Sequence, residues 1–130
     1  MGKSMKTPIL ETSRLWLRPL KEEDAPGAFL WTGDPKVSWY MRYETHESLE
    51  DTKQWLREEE KQLDSDLLYD FGFHKKDSDE LIGSGGLTFN QQQGIWELGC
   101  NLRRDCWNQG YGTEAAAAIL SFAENTLHIH

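Results

Sequence analysis

The sequence predicts a single mixed α/β domain, α+β in arrangement, in which a meandering antiparallel sheet runs into a glycine loop and a closing helix. Three observations predict it. Apolar residues alternate with period two between Leu67 and Leu102. An apolar stripe at helical spacing occupies Leu49 to Leu63. The stretch "WNQGYGTEAAAAILSF" passes from a glycine pair directly into a small-residue helix pattern. A chain of 130 residues suits one core, and at this size about two-thirds of the unfolded surface is buried.

"SRLWLRPL" alternates Leu15 and Leu17 with Arg14, Trp16 and Arg18 until Pro19 stops it, which predicts a first strand. In "KEEDAPGAFLWTG", Asp24 is placed as N-cap, Pro26 in the first turn and Gly33 as the stop of a short helix. "VSWYMRYET" shows neither period. Ser48 and Asp51 resemble a capping box, and behind them Leu49, Thr52, Trp55, Leu56 and Leu63 form the stripe of a second helix. The charge run "REEEK" within that helix reads as its solvated face. Beyond it, Leu67, Tyr69, Phe71 and Phe73 alternate against Asp70 and His74, so His74 is expected on an exposed outer face. "KKDSDE" turns the chain and "LIGSGGLTFN" returns as a hairpin strand. Gly83, Gly85 and Gly86 within it suggest a bulge or a close backbone approach. "QQQG" turns again into the strand "IWELGCNL", residues 95–102.

Composition excludes several classes. Formal net charge is −8, and residues 1–66 and 67–130 contribute −4 each, so no concentrated basic face is available for nucleic acid. A negative envelope weakly favours cationic substrates. No apolar run reaches the roughly 18 residues of a membrane span, and "MGKSMKTPILETS" lacks a signal-peptide core, so a soluble cytoplasmic protein without a membrane partner is expected. Cys100 and Cys106 lack zinc spacing and are expected as free thiols. His128 and His130 have no third ligand nearby, so no metal is expected.

The glycine loop carries the chemistry. The first N–H groups of a helix have no intrahelical partner and carry the positive end of its dipole. Gly110 and Gly112 in Asn108-Gln109-Gly110-Tyr111-Gly112-Thr113 remove the side chains that would keep an anion from that backbone. From Asp105 onward there is no Lys or Arg, leaving backbone dipoles, with Arg103 or Arg104 as the cations that could reach in. A tight strand-to-helix turn is the plain alternative for a glycine pair. Neither GxxxxGK[ST] nor a dinucleotide-type GxGxxG is present.

The segment "IWELGCNLRRDCWNQGYGTEAAAAILSFAEN" resembles the core of the GNAT acyltransferase superfamily, whose [QR]-x-x-G-x-[GA] loop joins a strand to a helix. Trp107 stands at the [QR] position, a departure that is similar to the "W-G-x-G-Y" form of the RimJ/RimL branch. "TEA" after the loop and "ETSRLWLRPLKEEDA" near the start resemble that branch too. The resemblance implies acetyl-CoA as co-substrate and no metal. Its pyrophosphate would lie on the amides of Asn108, Gln109, Gly110, Tyr111, Gly112 and Thr113, and its pantetheine arm beside Cys100, Asn101 and Leu102. Glu97 falls where relatives often carry a Glu near the thioester and is placed as general base; a strand Glu facing solvent or pairing with Arg103 is the bland alternative. Glu114 reads as a first-turn charge favourable to the dipole. Trp39 and Tyr40, with Met41 and Tyr43, fall where the family's inter-helix segment lines the acceptor pocket. The family pattern continues with further strands and a helix, so residues 1–130 are expected as one C-terminally incomplete domain, with residues 1–9 a tail. A homodimer is one way to cover the sheet edge that would otherwise stay open. Two readings follow: an N-acetyltransferase acting on a small-molecule or peptide amine, and a CoA-binding or dimerisation module without catalysis.

Overall fold

The computed structural model describes residues 8–39, 44–62 and 68–127. Five strands form one sheet in sequential order: β1 (Leu10–Glu11), β2 (Leu15–Arg18), β3 (Leu68–Lys75), β4 (Leu81–Asn90) and β5 (Ile95–Leu102). Every neighbouring pair is antiparallel. Four helices complete the described chain: α1 (Ala25–Thr32), α2 (Pro35–Trp39), α3 (Leu49–Lys61) and α4 (Tyr111–Asn125). The expected α+β arrangement is the one observed, with the first strand shorter than its motif and a two-residue strand added before it.

Helices cover both faces of the sheet, and this decides what each strand residue meets. On one face α4 buries Ala115, Ile119, Phe122 and Ala123 against Leu15, Leu17, Phe71, Phe73 and Leu87. Phe122 meets Tyr69 and Phe71 edge-on, with ring centroids 5.6 and 6.0 Å apart. Burying a side chain of this size contributes about 1.5–3 kcal/mol. On the other face Ala25, Ala28, Trp31, Val37 and Leu56 pack on Leu20 and Leu81. A polar link joins the helices of that layer: Thr32 Oγ1 and Thr52 Oγ1 lie 2.8 Å apart, buried between α1 and α3.

Local chemistry explains the boundaries. Ser48 Oγ accepts from the Asp51 amide at 3.3 Å, the cap expected for α3. The reciprocal bond goes one residue further back, from the Glu47 amide to Asp51 Oδ2 at 3.0 Å. Asp24 precedes α1 without capping it, because its carboxylate takes the Lys21 amide in a tight turn over Glu22–Asp24. The glycines of β4 report a close approach: a Cβ on Gly86 would stand 1.8 Å from the Tyr69 carbonyl oxygen of β3. The hairpin also carries the register shift, between Phe73 and His74.

Two outward-facing expectations are corrected. His74 is buried, 7% exposed, and desolvation together with the Arg18 guanidinium lowers its pKa. Glu59, within the "REEEK" run, turns inward from α3 and accepts from the Trp55 indole N–H at 2.9 Å. In both cases alternation separates one covered face from another, not inside from water.

Candidate active site

The glycine loop is tied down on both sides before α4 begins. Trp107 Nε1 donates to the Leu102 carbonyl at 2.9 Å, fastening the loop to the end of β5, and Gln109 Nε2 donates to the Asp105 carbonyl at 2.8 Å. Buried Cys106 anchors the turn Arg104–Cys106 in the core. Asn108 and Gly110 adopt positive φ, 63° and 84°. Alternation of this kind turns successive N–H groups toward one concavity, the arrangement that binds anions in backbone nests. Among the described residues, the amides of Asn108, Gln109, Gly110, Tyr111, Gly112 and Thr113 donate to no protein acceptor. The first helical bond is from the Glu114 amide to the Gly110 carbonyl, 3.0 Å.

A cation does stand at the loop, and it comes from the other end of the chain. Arg14 leads into β2, and its Nη1 donates to the Gln109 carbonyl at 3.1 Å. Its Nε and backbone amide donate to the two Glu114 carboxylate oxygens at 2.7 and 2.8 Å, and Thr12 Oγ1 donates to that carboxylate as well. The guanidinium lies 4.2 Å over the Tyr111 ring. Partial burial alone would raise the Glu114 pKa; the hydrogen bonds from Thr12 and Arg14 outweigh it and lower it. Glu114 is therefore a fixed anion that holds Arg14 against the loop. The cations expected there are engaged elsewhere: Arg103 with Glu80 and Asp105 at 2.7 and 2.6 Å, and Arg104 with Asp34 at 2.9 Å.

β5 ends the sheet, with no partner strand on its outer edge among the described residues. Cys100 and Leu102 pack toward α4. Burial, with the Asp70 carboxylate adding to it, pushes the Cys100 thiol up to about 11, so it stays protonated. Gly99 and Asn101 point the other way and line a cavity of about 390 Å³ between the sheet and the α1–α3 layer. Trp31, His46, Trp55, Glu59, Asp70 and Thr88 contribute to its walls. Glu97 is half-buried and pairs across the strands with Thr88, which places it on the cavity side of β5. His46 Nδ1 lies 2.7 Å from Thr52 Oγ1, and burial, opposed by Asp51, lowers the ring's pKa.

The strongest electrostatic anomaly is in that cavity. Asp70 borders it and is otherwise surrounded by protein; desolvation first, then the adjacent Glu59 carboxyl, hold its pKa well above the usual carboxylate range. Glu59 is raised too, by burial, against hydrogen bonds from Asp70 and Trp55. The two carboxyls are hydrogen-bonded to each other, so they share a proton.

The fold thus joins Arg14 and Thr12 to the loop at Asn108–Thr113, and brings Glu97, Gly99 and Asn101 together with Asp70 and Glu59. Tyr40, Met41 and Tyr43 lie outside the described residues, as do His128 and His130; Trp39 closes α2, with its side chain outside the described part. Sequence reasoning missed Arg14, Thr12, Glu59 and Asp70. Glu59 had a signal, since it follows Trp55 and Leu56 by four and three residues and so continues the buried stripe.

Comparison with known proteins gives the class. The family model for an acetyltransferase (GNAT) domain matches residues 14–130. The chain belongs to the GNAT acetyltransferase family, and it is an acetyltransferase. Among curated proteins it is similar to the uncharacterized N-acetyltransferase p20 of Bacillus licheniformis, 28% identical over 127 residues, covering 93% of this chain and 68% of the relative. Its fold is similar to that of a GNAT-family acetyltransferase from Bacillus anthracis, with TM-score 0.80 and 21% identity over 95% of this chain and 70% of that one. A structure described as a putative ribosomal-protein-serine acetyltransferase from Vibrio cholerae also superposes with TM-score 0.80, at 20% identity, covering 97% and 72% of the two chains. GNAT domains generally use acetyl-CoA.

Proposed function

We propose that this chain is an N-acetyltransferase of the RimJ/RimL-like branch, moving an acetyl group from acetyl-CoA directly to a primary amine. The observation that carries it is the run of amides from Asn108 to Thr113 without protein acceptors, bent into a concavity by positive φ at Asn108 and Gly110. Such a run fits a diphosphate, whose oxygens take several N–H donors at once. Arg14 supplies the fixed positive charge beside it. The outer edge of β5 at Cys100, Asn101 and Leu102 offers backbone groups to the amides of the pantetheine arm, although the Leu102 carbonyl already accepts from Trp107.

Acetyl transfer forms a C–N bond as the C–S bond breaks, and the departing thiolate takes up a proton. The amine must first surrender a proton, and Glu97, on the cavity side of β5, accepts it directly or through water. Backbone N–H groups at the strand edge stabilise the oxyanion that develops on the acetyl carbonyl. Trp39 and Tyr40 are retained as acceptor-side residues on the family resemblance. The Vibrio cholerae neighbour supports the branch assignment only through its printed description.

The test has two arms. Acetyl-CoA at one hundred times its dissociation constant should stabilise the fold by about 2.7 kcal/mol, read as a shift in thermal midpoint. Free thiol should then be released when a panel of primary amines is added. Stabilisation without thiol release on any amine would reject catalysis, and no stabilisation at millimolar acetyl-CoA would reject the cradle.

A further inference from the structure

We propose that the cavity between the sheet and the α1–α3 layer binds an aliphatic ammonium ion, with the Glu59–Asp70 carboxyl pair as its counter-charge, Trp31 and Trp55 as its flanks, and Asn101 Oδ1 as a further acceptor. The inference rests on the acetyltransferase reading only in the use it assigns to that ion, as the acceptor amine.

Four independent features meet there. The cavity, about 390 Å³, falls within the roughly 300–1,000 Å³ of small-ligand sites. Its described walls hold two carboxyl groups and no Lys or Arg. Neither Glu59 nor Asp70 takes part in an ion pair among the described residues, although Arg57 and Lys61 on the same helix are each paired with glutamates. Asn101 Oδ1 is enclosed by protein and meets no donor.

The charge count selects the ligand. Two hydrogen-bonded carboxyls keep one proton between them, so the pair carries one net negative charge in a poorly solvated place. An isolated buried charge is costly, and a single cation restores neutrality. Aromatic walls suit an ammonium better than a hydrated metal ion, since indole faces attract it and exclude water. A ligand bearing its own carboxylate near the amine would meet the pair with like charge. The cavity also reaches Gly99 and Asn101, on the strand whose outer edge is assigned to the pantetheine arm, so a bound amine is directed toward the thioester. The class is therefore an unblocked aliphatic amine on a neutral or cationic body.

The experiment uses three small probes on the whole chain without acetyl-CoA: n-butylamine, n-butanol and γ-aminobutyrate. Binding is followed through the indole N–H resonances of Trp31 and Trp55, assigned with Trp→Phe variants. Butylamine is expected to shift both resonances, butanol neither, and γ-aminobutyrate should bind about tenfold more weakly or worse. Replacing both Glu59→Gln and Asp70→Asn should weaken butylamine by about tenfold or more, the loss of a charge-assisted contact, while the acetyl-CoA midpoint shift is retained. Equal binding of butanol and butylamine would overturn the inference. So would a folded double variant that binds butylamine like the parent, or an absence of indole shifts in a parent that still binds acetyl-CoA. If the double variant does not fold, the butylamine and butanol comparison in the parent decides alone. Amine binding in a chain that ignores acetyl-CoA would instead sink the acetyltransferase use and leave the ammonium site standing.

Discussion

Replacing Gly110 by alanine separates the backbone's role in the fold from its role in binding. Gly110 sits at φ 84° and ψ 0°, where an L-residue pays about 1–2 kcal/mol of strain. Steric room is not the obstacle: the nearest neighbour of an added Cβ is Arg14 Nη2 at 3.3 Å, the tip of a flexible side chain. Unfolding entropy of about 2.1 cal/mol/K per residue over 130 residues converts each kcal/mol into about 4 °C. Gly110→Ala should therefore lower the apo midpoint by roughly 4–8 °C. Its methyl also covers the middle of the amide run, and losing one hydrogen bond to a charged phosphate costs about 1.5–3 kcal/mol, or about 10–150-fold in affinity. Gly112 is the internal control. A Cβ there makes an ordinary 3.4 Å contact with Leu102 Cδ1, on the second residue of α4. Gly112→Ala should hold or raise the midpoint, since alanine in a helix gains about 0.5–1 kcal/mol over glycine, and should retain acetyl-CoA binding. Thermal unfolding and calorimetric titration read both quantities. A folded Gly110→Ala protein with acetyl-CoA affinity within about threefold of the parent would refute the cradle at Gly110.

Arg14→Gln and Glu114→Gln, alone and combined, should show coupling of about 0.5–1 kcal/mol in a double-mutant cycle, and Arg14→Gln should weaken acetyl-CoA as well; strictly additive values would mean that the pair does not hold the loop. Asp70→Asn should flatten the pH dependence of stability on the alkaline side. The raised carboxyls of Glu59 and Asp70 keep their proton in the folded state above about pH 4, where unfolded carboxyls ionise, so parent stability falls as pH rises from there through the native titration. The groups facing the pair are His46 across the cavity, the Trp55 indole, the Phe71 amide and, through the sheet, Cys100. His46 and His74 act in the opposite sense, since their lowered pKa values remove stability as pH falls below about 6.5, so the difference between parent and Asp70→Asn isolates the carboxyls. An unchanged alkaline slope, measured by denaturant titration, would exclude the shared proton. Glu97→Gln should lower the rate of thiol release and shift its pH profile without moving acetyl-CoA affinity; a profile that stays put removes Glu97 from the mechanism.

The loop was legible because its signal is local. Glycine at position 110 and the small residues of "TEAAAAIL" bear directly on the backbone of a few consecutive residues. The strands were legible for the same reason, each as an alternating run between turn residues. Asp70 and His74 were misread because alternation along Leu68–Lys75 reports two faces without saying what covers them. In this domain α1 and α3 cover one and α4 the other, so the polar residues opposite Tyr69, Phe71 and Phe73 meet protein. Glu59 was hidden by its neighbours: three consecutive glutamates look alike in sequence, and only the helix rotation aims one of them at Trp55 and Asp70.

By itself, the sequence determined the kinds of element, their order and the bare backbone at the start of α4, because propensity, period and glycine chemistry act over a few residues. Tertiary structure decided which charges face that backbone and which carboxyls meet. Arg14 reaches Gln109 and Glu114 across about a hundred residues of chain, separations of 95 and 100, and Glu59 meets Asp70 only where α3 lies on β3. Electrostatic pairing depends on distance through space, and no local pattern encodes it.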